Sequence, residues 1–306
     1  MLDTSELRVF VHVGGSLSFA AAARSLSMTP SAVSKAVARL ESRLGAKLLV
    51  RTTRSVRLTD AGGSLLERAA RIVDELDAAE RGAQSASGLV RGRLRVALPL
   101  TLGARQIVAL LATFSARQPD VQLDVRLDDR YVDLAAEGVD AAVRVGNLDD
   151  SRLIARKLTS SRVVTVAAPD FVKTHGRPRA PERLKPEHCL LFRSSSSGRT
   201  LPWHFARGGR RVTFTPAGSH SFSNSEALLA AAAAGLGVAQ VLDFAAADAL
   251  RSKALAPLFA ELAAPGPPIS FVCLPEHAAL PKVRALSDFL AATFAAGAPW
   301  RLDKAR

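Results

Sequence analysis

The sequence has little cysteine and no long apolar run. Of its 306 residues only two are cysteines, Cys189 and Cys273, and they stand in unrelated contexts. So few cysteines argue against a disulfide scaffold and fit a protein of the reducing cytoplasm. The longest apolar stretch, from Ala227 to Ala239, has 13 residues, whereas a membrane span needs about 20. We therefore expect a buried helix and turn there, and no membrane partner.

Signals for secretion and for catalysis are also missing. The chain begins Met1-Leu2-Asp3 without a basic region or an apolar segment behind it, so no signal peptide is expected. No Gly-x-Ser-x-Gly, His-Glu-x-x-His or Cys-x-x-Cys motif occurs, and the six histidines are scattered. The serine run 194–197 has no base paired to it by any motif. These absences argue against an enzyme, a metal site and a bound cofactor.

Length and charge indicate more than one domain and a polyanionic partner. A single core stops growing near about 250–300 residues, so 306 residues predict at least two domains. The net charge is +13. Residues 1–60 hold nine Lys or Arg against four Asp or Glu, which favours a polyanion as partner. Residues 93–306 carry a further +9, which we ascribe to a generally arginine-rich composition.

Three amphipathic helices are predicted in the first 45 residues. Asp3 with Glu6, Ser18, and Thr29 with Pro30 have the chemistry of helix starts. Apolar residues follow each start in steps of three and four, so that they fall on one face of a helix. They are Leu7, Phe10 and Val11 in the first helix, Phe19, Ala22, Ala23 and Leu26 in the second, and Val33, Val37, Leu40 and Leu44 in the third.

The third helix has a small, hydroxylated outer face. It consists of Ser31, Ser34, Lys35, Ala38 and Ser42. Such a face fits a major groove and can donate to phosphates and base edges. Two helices joined by a tight turn, the second with this face, indicate a helix-turn-helix. The alternative is a solvated helix of an ordinary bundle, although such a face usually carries Glu and Lys.

A β-wing is predicted after the third helix. Gly45 is a typical residue at a helix end, and 47–51 and 56–58 read as two short strands. Arg51 and Arg54 lie at the predicted tip, where they suit phosphates or a minor groove. The alternative is a solvated hairpin tip.

These segments resemble the LysR-type transcriptional regulators. The resemblance rests on Ser31 to Glu41, Leu44 to Arg54 and Thr59-Asp60-Ala61-Gly62. Leu49 stands where the family usually has Phe, and Gly14-Gly15-Ser16-Leu17 replaces its usual turn. The family implies sequence-specific binding to double-stranded promoter DNA. The DNA-binding residues expected here are Ser31, Ser34, Lys35, Arg39, Arg51, Thr53 and Arg54.

A long linker helix is predicted from Thr59 to about Gln84. Apolar residues alternate in steps of four and three, as in a coiled-coil seam. The residues expected to form a dimer are Leu65, Ala69, Ile72, Leu76 and Ala79. The alternative is a helix packed on its own chain. Residues 85–88, Ser-Ala-Ser-Gly, are interpreted as a hinge.

The rest of the chain alternates strands and helices, which predicts a parallel α/β sheet. The family resemblance continues there and implies two subdomains like those of periplasmic binding proteins. The fold class is therefore α/β, with an N-terminal all-α winged helix-turn-helix, a long linker helix and a C-terminal effector domain. The expected limits are 1–59 for the DNA-binding domain, 60–87 for the linker and 88–300 for the effector domain, with subdomain I at 88–162 and 267–300 and subdomain II at 163–266.

An effector is expected at helix starts that face the cleft. Thr101 follows the first strand of this domain, and Asn224 precedes the alanine-rich helix. Free N–H groups at helix starts favour anions, so a small anionic or polar molecule, preferably a carboxylate, is expected on Thr101, Ser194 and Asn224. Helix capping is the alternative for Thr101 and Asn224. Val241-Leu242 stands where the family usually has Leu-Pro, and this difference is expected to change the shape of the cleft wall.

The sequence thus predicts a cytoplasmic, effector-switched transcription regulator. The family implies a homotetramer built from dimers, with RNA polymerase as a further partner. A solute-binding protein is disfavoured by the helix-turn-helix. An architectural DNA binder is disfavoured by the α/β region, since bending DNA needs no cleft.

Overall fold

The computed structural model of the protein describes residues 3–51, 56–148, 152–194, 197–218 and 220–301. The chain divides into two compact units, Met1–Leu89 and Val90–Arg306, each with a hydrophobic core of its own. Among the described helices, none is both long and apolar enough to cross a bilayer.

The N-terminal unit forms the predicted helices and wing. Its elements are α1 (Thr4–Ser16), α2 (Phe19–Ser25), α3 (Pro30–Leu44), β1 (Leu49–Arg51), β2 (Val56–Leu58) and α4 (Asp60–Ser87). The predicted caps are confirmed, since Asp3, Ser18 and Thr29 each accept a hydrogen bond from a backbone N–H in the first turn. Gly45 ends α3 with φ +67°, a conformation that glycine adopts without steric cost.

The core of this unit is shared by α4. Phe10 and Val37 are fully buried, and Ala69 on α4 is buried in the same cluster. The prediction that Ala69 lies on a seam with a second chain is therefore corrected, because its own chain already covers it. Leu65 is half-buried against the same core, whereas Ile72 is 50% exposed.

The start and end of α4 follow from local chemistry. The Thr59 hydroxyl accepts a hydrogen bond from the Gly62 N–H at 2.9 Å and so caps the helix. A Cβ on Gly62 would lie 2.0 Å from the carbonyl oxygen of Leu48, so only glycine allows α4 to approach the wing this closely. The predicted hinge is also corrected, because residues 85–87 are helical and only Gly88, with φ +63°, follows the helix.

The C-terminal unit is built on a nine-stranded sheet. A short π-helical turn, Gly103–Ile107, joins its first two helices. Its elements are β3 (Gly92–Leu98), α5 (Leu100–Leu102), α6 (Val108–Arg117), β4 (Val121–Leu127), β5 (Ala141–Val145), β6 (Ile154–Ala167), α7 (Pro169–His175), β7 (Cys189–Phe192), β8 (Trp203–Arg207), β9 (Arg210–Phe214), β10 (His220–Phe222), α8 (Ser225–Ala233), β11 (Val238–Leu242), α9 (Asp243–Arg251), β12 (Ala256–Leu258), β13 (Ala264–Cys273), α10 (Pro275–Ala278) and α11 (Pro281–Ala295).

The sheet is mixed, which corrects the prediction of a parallel sheet. Its order is β10-β7-β11-β6-β13-β5-β3-β4, with β12 beside β6. Strands β3, β4 and β5 pair in parallel in one half, and β7, β10 and β11 pair in parallel in the other. The long strands β6 and β13 run antiparallel between the halves. The two subdomains therefore share one curled sheet, and the predicted subdomain limits at 162 and 267 lie inside these two strands.

The two crossing strands approach each other closely. The Ser161 hydroxyl donates to the carbonyl oxygen of Pro267 at 2.8 Å. A Cβ on Gly266 would lie 2.5 Å from the Ser161 hydroxyl oxygen, so glycine is needed there. The register of β13 on β6 shifts between Pro265 and Pro268. An irregular pairing of this kind bends a strand locally, here within the connection between the subdomains.

The hairpin β8–β9 was not predicted. It turns at Gly208 and Gly209, which have φ of +58° and +74°. Two glycines between alternating apolar residues are a typical hairpin turn, so the signal was present in the sequence. The hairpin packs Trp203 and Phe205 into a small core on one face of the sheet.

A buried carboxylate joins α3 to the wing. Glu41 is 7% exposed and accepts hydrogen bonds from the backbone N–H groups of Leu48 at 2.9 Å and Leu49 at 3.1 Å. Lys47 donates to its other oxygen at 2.8 Å. Burial by itself raises the pKa of Glu41, but the hydrogen bonds from Lys47, Leu48 and Leu49 outweigh it and hold the pKa below the ordinary value of 4.5.

We expect Glu41→Ala to destabilise the N-terminal unit by about 1–3 kcal/mol, because it leaves two buried N–H groups unpaired. Amide hydrogen exchange of the buried α3 residues measures the change. Because its pKa is lowered on folding, Glu41 stabilises the unit above pH 4.5, and that contribution is lost as the pH falls through the folded-state pKa.

Lys47→Gln is the matched control. Lys47 is 78% exposed, and an exposed ion pair contributes about 0–1 kcal/mol. Equal destabilisation by the two substitutions would contradict a role for the buried N–H groups.

Candidate DNA interface and ligand cleft

The outer face of α3 is available to a partner. Val33 and Val37 are fully buried on its inner side. Ser31 and Lys35 are exposed on the outer side, and Ser34 is half-buried there. The hydroxyls of Ser31 and Thr29 lie 3.0 Å apart, within hydrogen-bond distance. The face is thus small, polar and open, as its sequence predicts.

Arg39, which is predicted to contact DNA, also forms an ion pair within the N-terminal unit. Its Nε donates to Oε1 of Glu6 at 2.8 Å, and Glu6 is only 2% exposed. Arg43 lies 3.5 Å from the other Glu6 oxygen. These contacts tie α3 to α1, while the Arg39 side chain remains 60% exposed. Arg39 can therefore anchor the helix and still reach a phosphate.

The wing residues remain predictions. The backbone of Arg51 belongs to β1, but its side chain lies outside the described part of the structure. Thr53 and Arg54 also lie outside the described residues.

The C-terminal unit contains a cleft of about 320 Å³ between its two subdomains. One wall consists of the ends of β3 and β5 and the loop 128–132. The other includes Phe192, Ser194, Leu242 and Phe244. The volume is at the lower end of the range for small-molecule sites, about 300–1,000 Å³. The cleft therefore suits a small ligand.

Thr101 lines this cleft as predicted, and its hydroxyl lacks a hydrogen-bond partner among the described residues. Thr101 is 5% exposed, and its Oγ1 makes no hydrogen bond within the described structure. It lies near enough to the Glu226 carboxylate to help lower that group's pKa, but no hydrogen bond of ordinary geometry joins them. Buried polar atoms are usually hydrogen-bonded, so this hydroxyl is available to a ligand.

Arg144 is the most unusual residue of the cleft. It is 8% exposed in β5, and its Nη2 donates to the carbonyl oxygen of Val132 at 2.7 Å. The Tyr131 ring stacks on the guanidinium, with its centroid 3.6 Å from Cζ. The Nη1 atom has no hydrogen-bond partner, and no carboxylate among the described residues forms an ion pair with Arg144. A buried cation without a counter-charge is energetically costly.

One of the predicted effector contacts needs correction. Asn224 does not line the cleft, because its side-chain oxygen caps α8 by accepting from the N–H groups of Glu226 and Ala227. The N–H of Leu100 is likewise bonded to the Asp129 carboxylate. At both helix starts, some of the N–H groups on which the anion argument rested are therefore already bonded within the protein.

The loop that carries Ser194 does reach the cleft. Ser194 lines it, together with Ser223 and Ser225 on either side of Asn224. The Ser194 hydroxyl accepts a hydrogen bond from the Ser197 N–H at 3.3 Å. Its position agrees with the prediction, and any ligand contact stays a prediction.

An ion pair links the subdomains beside the cleft. Arg105 of subdomain I donates from Nε to Oε1 of Glu226 in subdomain II at 2.8 Å, and its Nη1 lies 3.7 Å from Asp248. The hydrogen bond from Arg105 lowers the pKa of Glu226. Gln106 also donates to the Phe244 carbonyl oxygen at 3.0 Å. These contacts hold the two walls in their present separation.

Other reactive groups do not form a site. Cys189 and Cys273 are buried, and burial raises the pKa of Cys189 to about 11. At neutral pH its thiol is thus protonated and unreactive. The described residues contain no cluster of three or more His, Cys, Asp or Glu side chains able to hold a metal ion.

Arg144 was missed by sequence reasoning. Arg144 stands among the apolar residues of Ala141 to Val145, and an arginine inside such a buried strand is itself a signal. Nothing in the pattern told which groups would surround it. Its partners Val132 and Tyr131 come from a loop whose path is set by the tertiary fold.

Comparisons with known proteins identify the family. Residues 4–63 match the family model described as bacterial regulatory helix-turn-helix protein, lysR family. Residues 87–295 match that of the LysR substrate binding domain. The chain belongs to the LysR family of transcriptional regulators.

Individual relatives support the same assignment over nearly the whole chain. The HTH-type transcriptional regulator CrgA of Neisseria meningitidis serogroup C is 36% identical over 292 residues, which cover 94% of this chain and 96% of that protein. The solved structure of CrgA from N. meningitidis has a TM-score of 0.61 at 32% identity and covers 96% and 99% of the two chains. Full-length AphB of Vibrio cholerae, with a TM-score of 0.73 at 23% identity over 95% and 99%, shares the fold.

This LysR-type regulator therefore combines a helix-turn-helix with an effector-binding domain. Regulators of the family bind DNA and small-molecule effectors and form oligomers. The relatives of this chain are transcriptional regulators, not enzymes, in agreement with the sequence analysis.

Proposed function

We propose that a small carboxylate, bound in the cleft by Arg144, switches the binding of this regulator to double-stranded promoter DNA. The observation that carries the proposal is the buried Arg144 guanidinium, which lines the cleft and forms no ion pair with a carboxylate of the described residues. The DNA is read by Ser31, Ser34 and Lys35, with phosphate contacts from Arg39 and the wing residues Arg51, Thr53 and Arg54. The exposed, small outer face of α3 supports this part.

We expect Lys35→Ala to weaken binding to a duplex selected by the wild-type protein by about 1–3 kcal/mol, because Lys35 contacts a base edge. Fluorescence titration measures the change. Arg68→Ala removes the same charge from an exposed position of α4 and is the control. Equal affinities of wild type and Lys35→Ala would assign DNA recognition to another face.

The assembly is proposed to use the exposed part of α4. With Ala69 buried in its own chain, the apolar residues left for a partner are Ile72, Leu76 and Ala79, with Leu65 half-covered. A regulator that binds a two-fold operator as a dimer is expected to use such a stripe. Two dimers then form a tetramer.

We expect Ile72→Asp to shift the protein to smaller assemblies, since a charge in an apolar interface is buried without a partner. Sedimentation velocity measures the assembly. Arg71→Asp introduces the same side chain at a neighbouring exposed position and should leave the assembly unchanged. An unchanged oligomer for Ile72→Asp would exclude this stripe.

The effector chemistry follows from the charges that line the cleft. Asp128 and Arg130 form an ion pair at 2.9 Å. Asp129 also lines the cleft and keeps its charge while it accepts a hydrogen bond from the Leu100 N–H. No ion pair joins any of these carboxylates to Arg144, so its guanidinium is left to pair with a ligand. Carboxylates bind guanidinium through two parallel hydrogen bonds. The Tyr131 ring, 63% exposed, turns aside to admit the carboxylate, and Thr101 and Ser194 contact the rest of the ligand.

A panel of small carboxylates tests this assignment by thermal denaturation, with the matching amides as uncharged controls. At one hundred times its Kd, a ligand raises Tm by about 5–10 °C. We expect a carboxylate that stabilises the wild type and Arg130→Gln but not Arg144→Gln. Equal stabilisation of wild type and Arg144→Gln, or stabilisation by amides alone, would contradict the proposal.

The remaining parts of the proposal concern the domain boundaries and the cellular compartment. We retain 1–59, 60–87 and 88–300 as the domains, with subdomain II at 163–266; the division into compact units after Leu89 supports them. The regulator acts in the cytoplasm, where it meets promoter DNA and RNA polymerase.

A further inference from the structure

The positive charge of the C-terminal region is concentrated in one segment. Residues 173–211 contain ten Lys or Arg and two Glu, a net charge of +8. The other residues between 93 and 306 contain eighteen basic and seventeen acidic side chains, a net charge of +1. A generally arginine-rich composition would spread its excess along the chain, so the interpretation given from sequence does not explain this segment.

The segment forms a layer over one face of the sheet in subdomain II. Successive residues of a strand face opposite sides. In β7, Cys189 and Leu191 contact the small core of this layer, whereas Leu190 belongs to the core beneath α8. Helix α7 and the hairpin β8–β9 supply Phe171 and Trp203 to the same small core. The layer therefore turns its apolar side to the sheet and its other side to solvent.

The cations lie on the solvent side. All ten Lys and Arg side chains of the segment are exposed. Within the part of the chain that the structure describes, Arg207 is the one among them with a carboxylate at ion-pair distance, that of Glu182 at 3.0 Å. We call this surface, exposed from residues 173–211, the basic layer.

Several cations of the basic layer come from adjacent elements. The Arg207–Glu182 ion pair places the hairpin beside the short 3-10 turn Pro181–Arg183. Arg210 pairs with Arg207 across the hairpin, so these two side chains share a face of it, whereas Arg211, the next residue, lies on the opposite face. The charges of Arg183, Arg207 and Arg210 thus come from two neighbouring elements and lie near one another, where their mutual repulsion is relieved by a polyanion.

The chemistry favours a phosphate backbone over an acidic protein. Eight of the ten cations are arginines, whose planar guanidinium matches phosphate oxygens in pairs. A protein interface has an apolar centre, but the large exposed apolar side chains described in this segment are limited to Leu201. Double-stranded DNA is already bound by this family of proteins through the helix-turn-helix.

We propose that the basic layer binds the phosphate backbone of double-stranded DNA. The C-terminal unit then adds a contact that is independent of sequence to the specific contacts of the helix-turn-helix. Such a contact makes binding more sensitive to salt.

The test compares three triple variants of the full-length chain. Arg183, Arg207 and Arg210 are each replaced by Gln in the first and by Lys in the second. The control replaces Arg91, Lys253 and Arg284, exposed cations outside the layer, by Gln. Anisotropy titrations with a long random-sequence duplex are recorded between about 50 and 200 mM salt. Poly-L-glutamate serves as an acidic polypeptide probe.

Each phosphate contact contributes about 0.9 to the slope of log K against log salt. We expect the Gln variant to lose two to three units of slope, roughly, if its three arginines each contact a phosphate. The Lys variant, which keeps the charge, and the control variant should match wild type.

An unchanged slope for the Gln variant would overturn the proposal, as would an equal loss in the control variant. Loss of poly-L-glutamate binding with an unchanged DNA slope would assign the layer to an acidic protein, and the DNA proposal would be wrong.

Discussion

The buried guanidinium of Arg144 needs hydrogen-bond acceptors and a counter-charge, and its own subdomain supplies only some of them. Moving a cation out of water costs several kcal/mol, which mutual attraction with a counter-charge has to offset. Here the described surroundings supply one carbonyl oxygen, from Val132, and one aromatic face, from Tyr131. An arginine in place of an apolar residue of a central strand lowers the stability of the fold. On the proposed function, the binding of an anion to Arg144 offsets this loss.

The architecture around Arg144 explains how that energy can move the protein. The guanidinium lies in subdomain I, and the serines across the cleft belong to subdomain II. The subdomains are joined by β6 and β13, whose pairing is irregular near Pro265, and by the Arg105–Glu226 ion pair. A ligand that contacts both walls favours one separation of them, to the extent that it binds that state more tightly.

Sequence reasoning succeeded where local chemistry decides the outcome. The caps Asp3, Ser18 and Thr29 and the open face around Lys35 depend on neighbours within one or two helical turns. It failed where distant segments decide. A seam position such as Ala69 looks the same whether a second chain or its own chain covers it.

The cleft shows the same limit. Asn224 was weighed as either cap or ligand contact, and the fold assigns its oxygen to capping. The charge of residues 173–211 was visible in the sequence. The sequence did not show that charges from separate elements lie close together, because this depends on the unpredicted hairpin β8–β9 and on one ion pair between Arg207 and Glu182.

The most direct test of the account is a crystal structure of the regulator with the carboxylate that stabilises it most. The account predicts carboxylate oxygens at about 2.7–2.9 Å from the Arg144 guanidinium nitrogens, with the Tyr131 ring displaced from its present stacking. A carboxylate bound elsewhere, with Arg144 still bonded to Val132 and covered by Tyr131, would contradict it.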